Sequence, residues 1–249
     1  MGCTSCASNG IGSPRGCKSN GTCGNDSCNK LTVFDWLGNI EMRKDIAPFP
    51  LVEVRFKNRR KEFYSLTEGL TVRVGDPVIT QVDNGYDLGL VTLTGELVRF
   101  QMKKKGVSQE IDEVNKILRL ANQEEIDKWH SLRDKEPNIQ KRARELALGL
   151  GLDMKLSDVE FQGDGKKATF YYTAEGRIDF RQLIKDMAHA FSIRIEMRQI
   201  GLRQEASRLG GIGSCGRELC CSTWLTDYRS VSTAAARYQQ LSLNPLKLA

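Results

Sequence analysis

Three thiols stand within the run GGIGSCGRELCC, Gly210–Cys221: Cys215, Cys220 and Cys221. Glycines at 210, 211, 213 and 216 crowd round the first of them. Glycine reaches positive φ without a Cβ penalty, so such a run can turn its backbone amides inward as a nest. Amides of that kind, with Arg217 nearby, favour thiolate over thiol. The pattern therefore reads as half of a metal or cluster site. The plainer reading is a tight turn with inert, buried cysteines. Two adjacent cysteines on a short glycine loop are poorly explained by packing alone.

A second set of thiols lies at Cys3, Cys6, Cys17, Cys23 and Cys28, among Gly, Ser and Asn. Cys3-x-x-Cys6 has the spacing that lets two thiolates grip one ion. Cys17, Cys23 and Cys28 can complete a tetrahedral zinc site or ligate a cluster, and a fifth cysteine exceeds a single four-ligand zinc site. The segment holds too little apolar side chain to bury a core, so metal is expected to order it. Otherwise it is a disordered tail with incidental thiols.

The elements that must position these groups follow from the rest of the chain. Its 249 residues suit one large domain or two small ones, and 40% hydrophobic content is enough for a sizeable core. The net charge of +6 permits contact with nucleic acid or ribosome without demanding it. No run of 18 apolar residues occurs, so no membrane span is expected, and a cytoplasmic location follows. There, eight cysteines read as reduced ligands rather than disulfides.

The fold expected is α+β: a cysteine-rich segment with a docking element over 1–46, a small β-barrel over 47–106, a helical and ferredoxin-like α/β region over 107–200, and a glycine-cysteine loop with its tail over 201–249. The barrel rests on short runs: Leu51–Phe56, Lys61–Leu66, Leu70–Val74, Pro77–Val82, Leu88–Leu93 and, closing the set, Val98–Met102. Asn84-Gly85 is a hairpin signal. Arg55, Lys57, Arg59, Arg60 and Lys61 fall on one hairpin, and Lys103–Lys105 follow the last run. These cations can meet phosphate, or form a solvated rim. Residues 108–150 read as helices, with Pro137 allowing a break. Met154–Gln162, Ala168–Thr173 and Ile193–Met197 read as strands around a helix, Phe180–Phe191, capped by Asp179. With Lys116–Leu120 as an additional strand, the order becomes the split β-α-β unit. Of Tyr171 and Tyr172, alternation turns one to the core and leaves the other for stacking.

Catalysis is not expected. Only His130 and His189 are available as imidazole bases, and no nucleophile elbow, phosphate loop or HExxH run is present.

The runs RQEA at Arg203–Ala206, LGGIGSCGRELCCSTWL at Leu209–Leu225 and LSLNP at Leu241–Pro245 resemble the RicT (YaaT) family, as does FYYTAEGRIDFRQLIKDMAHAF within Phe170–Gly201. The resemblance covers roughly 50–249 and leaves the segment before Leu31 as an addition. It implies a cytosolic bacterial protein without catalytic activity of its own. It further implies small helical protein partners, a four-iron four-sulfur cluster held in that complex, and assistance to a membrane-associated endoribonuclease that matures transcripts. Carried over, Cys215, Cys220 and Cys221 are the cluster ligands. The family pattern continues after Asn244-Pro245 with a second loop of the form CGRLxCC; this sequence ends at Ala249, and the first loop is the one it carries.

Two functions are thus expected. One is a cluster- or metal-bearing adaptor in RNA metabolism. The other is a ribosome- or RNA-binding module whose N-terminal cysteines hold structural zinc. A redox-sensing thiol pair at Cys220-Cys221 ranks behind both, because a vicinal disulfide closes a strained ring.

Overall fold

A computed structural model describes residue 33 and residues 49–67, 69–107, 114–213, 215–225 and 232–238. Cys3, Cys6, Cys17, Cys23 and Cys28, and the docking element apart from Val33, lie outside the described residues. The chain divides into two compact units: Thr32–Ile200, and a unit holding the described residues from Gly201 onward.

The first unit begins with a closed five-stranded barrel. Its strands are β1 (Leu51–Arg55), β2 (Lys61–Leu66), β3 (Pro77–Val82), β4 (Gly85–Leu93) and β5 (Lys116–Leu120), in the order β1-β2-β5-β3-β4. β1 pairs antiparallel with both β2 and β4, which closes the cylinder. β5 enters between β2, to which it runs parallel, and β3, to which it runs antiparallel. Val52, Val54, Phe56, Tyr64, Val78, Val91 and Ile117 fill one core. At one end Leu97, Val98 and Met102 of helix α1 (Glu96–Lys105) pack with Leu51, Leu93 and Val114.

Two expected barrel strands are not strands. Val98–Met102 belongs to α1, and Leu70–Val74 is irregular. In α1 the buried positions are 97, 98 and 102, which follow the helical repeat rather than the alternation of a strand. A single turn of such spacing does not separate the two periods.

Helix α2 (Gln123–Gly149) and helix α3 (Arg181–Phe191) cover one face of a second sheet, β6-β7-β8, made of β6 (Lys155–Phe161), β7 (Lys167–Thr173) and β8 (Arg194–Gln199). Phe170, Tyr172, Leu156, Val159, Leu183 and Met187 form its core with Ala143 and Ala147. The expected strand at 116–120 exists, but it completes the barrel instead of this sheet. The sheet therefore has three strands, and the ferredoxin-like arrangement is not formed. Asp179 accepts the Arg181 amide at 3.1 Å, at the foot of α3.

Pro137 does not break α2. A proline inside a helix removes one backbone bond and costs about 3 kcal/mol or more. Contacts on both sides of it offset that cost. Trp129 and Glu136 are buried before it, Ala143 and Ala147 after it. Arg144 Nε donates to the Leu156 carbonyl at 2.8 Å, fixing the second half to β6.

Candidate functional site

The far face of the three-stranded sheet meets the barrel in a charged seam. Asp158 and Glu160 on β6 point away from the apolar core that Val159 and Phe161 share. Lys57, on the short turn between β1 and β2, reaches Glu136 at 2.6 Å and Asp158 at 2.8 Å. Asn58 holds a left-handed backbone, φ 49°, and its side-chain amide donates to Asp158 at 2.7 Å. Arg60 Nη2 lies 2.9 Å from Asp87 and 3.1 Å from Glu160, and its Nη1 is 2.6 Å from Glu62. The same guanidinium stacks on Phe56, 4.0 Å from the ring centre. Asp87 also accepts the amides of Leu88 at 2.9 Å and Gly163 at 3.0 Å. Gly163 is required by this approach: a Cβ there would sit 2.7 Å from the Leu88 nitrogen.

The electrostatics follow from burial and pairing. Burial pushes the Asp87 carboxyl up to about 6; Arg60 opposes this, and the neighbouring Glu160 adds to it. Lys57 is disfavoured as a cation by burial, but Asp158 and Glu136 outweigh that and hold it above the usual lysine range. A second buried group stands in the barrel. Glu53, 1% exposed, bonds Lys61 at 3.1 Å, Lys105 at 3.0 Å and Thr92 at 2.9 Å. Burial raises its carboxyl, and the two lysines together bring it below the ordinary value.

Three of the five cations of the expected phosphate-binding hairpin meet carboxylates inside the body. Lys57, Arg60 and Lys61 are paired with carboxylates, and Arg55 is buried. The Arg59 side chain lies outside the described residues. The charges of Lys57, Arg60 and Lys61 are neutralised within the body. The missed residues are the counter-charges: Asp87, Glu136, Asp158 and Glu160. Their one signal in the sequence is that Asp158 and Glu160 alternate with apolar residues on a strand. Tyr171 is corrected too. It is 3% exposed and donates to Glu160 at 2.9 Å, so it offers no ring for stacking.

The thiols lie in the second unit, which the body does not resemble. Helix α4 (Leu202–Leu209) leads into a small hairpin closed by a bridge between Ile212 and Glu218. The Gly213 amide donates to the Arg217 carbonyl at 2.7 Å, and the Gly216 amide to the Gly213 carbonyl at 3.0 Å. Gly216 has φ 75°, which only glycine adopts freely. Cys215 is exposed at the tip. A Cβ on Gly213 would lie 3.5 Å from its sulfur, so the thiol folds back over the loop. Cys220 and Cys221 open the short helix α5 (Cys220–Thr223) and are half-buried. Ser207 on α4 donates to the Cys221 carbonyl at 2.7 Å, tying the two helices together. Helix α6 (Thr233–Tyr238) follows.

The expected inward nest is not formed by these amides, because Gly213 and Gly216 donate within the hairpin. Trp224, just after the loop, is 69% exposed. Among the described residues, no three His, Cys, Asp or Glu side chains come together as a metal site. The loop by itself does not fit a cluster or a closed zinc site.

Comparison with known proteins places the chain. Residues 115–200, from β5 through β8, match the family described as PSP1 C-terminal conserved region. The stage 0 sporulation protein YaaT of Bacillus subtilis is 39% identical over 200 residues, 80% of this chain and 70% of that one. The chain belongs to the YaaT family. Protein PSP1 of Saccharomyces cerevisiae shares 50% identity with this YaaT-family chain over 44 residues, 18% of this chain and 5% of its own. An uncharacterised Schizosaccharomyces pombe protein is 27% identical over 171 residues, 60% of this chain and 23% of its own. No solved structure matches. Among the described residues of this YaaT-family chain, no helix is long and apolar enough to cross a membrane.

Proposed function

We propose that this chain is a non-catalytic, cytoplasmic adaptor in RNA metabolism that assists an endoribonuclease in transcript maturation. In this reading its glycine-cysteine unit lends thiols to an iron–sulfur or other metal site. The observation that carries it is the contrast between accessible thiols and neutralised charges. Cys215 stands exposed on a bonded hairpin, with Cys220 and Cys221 half-buried beside it, all three free. In the body, Lys57 and Arg60 are committed to Glu136, Asp158, Asp87 and Glu160. Membership of the YaaT family supports the same reading. Because the three described thiols do not converge, the loop supplies a share of the ligands, and no chemical step is assigned to the metal. Soft thiolates suit iron–sulfur clusters and zinc.

The test is anaerobic purification of the full chain, with iron, sulfide and zinc measured on wild type and on Cys220→Ser. Metal in the wild type that is lost in the variant, with unchanged circular dichroism, is the expected result. Equal metal in both, or a variant that loses its secondary structure, overturns it.

A further inference from the structure

Helix α1 carries a face that the barrel does not use. Leu97, Val98 and Met102 are buried against the barrel end. The opposite side shows Arg99, Phe100, Lys103 and Lys104, all exposed. Phe100 is 63% exposed. Lys103 and Lys104 stand three and four residues beyond it, the spacing that sets helical side chains side by side, with Cβ atoms roughly 5–6 Å apart. Neither lysine has a carboxylate partner among the described residues. In this they differ from Lys105, which bonds Glu53 at 3.0 Å. Arg99 pairs loosely with Glu96 at 3.4 Å and rests over Phe49 at 4.8 Å, beside the same stripe.

We propose that this face of α1 binds single-stranded RNA, with Phe100 stacking on a base and Lys103 and Lys104 meeting phosphates. An exposed ring beside cations that have no carboxylate partner among the described residues supplies the two kinds of contact, stacking and phosphate pairing, that sequence-tolerant binding of a single strand uses. A lipid surface fits less well. The apolar side of α1 is sealed in the barrel, so one ring is all it has to insert, whereas a membrane-surface helix needs a full apolar face. The inference deepens the RNA-metabolism reading by naming a direct contact with the strand, and it does not need the thiols.

The experiment is fluorescence anisotropy of the full chain with a short labelled oligouridine over a salt series. Phe100→Ala should weaken binding about tenfold, within the range for loss of a base–aromatic stack, and Phe100→Trp should restore it. Lys103→Ala and Lys104→Ala should each flatten the salt slope by roughly 0.7, the increment for one phosphate on a single strand. Cys220→Ser should bind as wild type does, which separates this site from the thiol loop. No binding by the wild type overturns the proposal, as does binding that Phe100→Ala and the lysine variants leave unchanged. Binding to vesicles of anionic phospholipid but not to oligouridine overturns it in favour of a membrane contact.

Discussion

In the body of the chain, Lys57, Arg60 and Lys61 each lie within 3.1 Å of a carboxylate, whereas in the C-terminal unit Cys215, Cys220 and Cys221 are free thiols. Both regions look reactive in the sequence. What separates them is where their partners come from. Lys57 and Arg60 meet acids about 100 residues further on, Asp158 and Glu160, and Lys61 meets Glu53 on the neighbouring strand. Cys215 sits on a hairpin whose backbone hydrogen bonds close within a few residues, and Cys220 and Cys221 open the helix after it. A group whose partners are inside the fold supports the fold; one left without partners is available to something else.

The sharpest way to break this comparison is to remove Arg60. Arg60→Met leaves Asp87 and Glu160 buried and uncompensated, and breaking a buried pair in this way costs about 3–5 kcal/mol. Urea unfolding should show a lower midpoint with secondary structure retained in water. Adding Glu160→Gln and Asp87→Asn should recover part of the loss. A stability change below about 1 kcal/mol would make Arg60 a surface cation after all.

A smaller effect belongs to Asp87 and appears as a pH dependence. Its folded carboxyl titrates at about 6, above the ordinary 3.8, so in that window the folded state holds more protons than the unfolded one. Stability from this group is therefore greatest below the ordinary value and falls as pH rises through the folded one. Relative to Asp87→Asn, the wild type should lose stability between those two values and stay level above them. Thermal melts of both proteins across that range would check it, and parallel curves would remove Asp87 as the source.

The smallest effect is expected at the other end of the comparison. Cys215→Ser should shift stability by less than about 0.5 kcal/mol, as exposed substitutions do. In the wild type, maleimide should modify Cys215 before Cys220 and Cys221, which are half-buried. Mass spectrometry of partly labelled protein reads the order. Simultaneous labelling would place all three on one open surface.

Much of the fold is legible in local pattern. Alternation in Leu51–Arg55 and the turn at Asn84-Gly85 locate β1 and the β3–β4 hairpin. The two apolar strands of the α/β layer and α3 follow in the same way. What local pattern lacks is partnership. Nothing around Lys116–Leu120 says that it joins β2 and β3 rather than the later sheet. Nothing near Lys57 reveals Glu136. The cysteine loop is conspicuous because its unusual residues are contiguous, yet its hydrogen bonds, which turn Gly213 and Gly216 inward on the hairpin itself, depend on dihedral choices that composition leaves open.

The place of β5 in the barrel has a consequence for synthesis on the ribosome. Until residue 120 has emerged, the first four strands can form only an open sheet, β3-β4-β1-β2, with β2 and β3 at its edges. Those are the edges that β5 later joins. Unpaired strand edges invite pairing with other chains. The nascent chain is thus most vulnerable to misassembly during the interval in which α1 and the segment after it are being made, and it loses that vulnerability in one step when β5 slots between the two open edges.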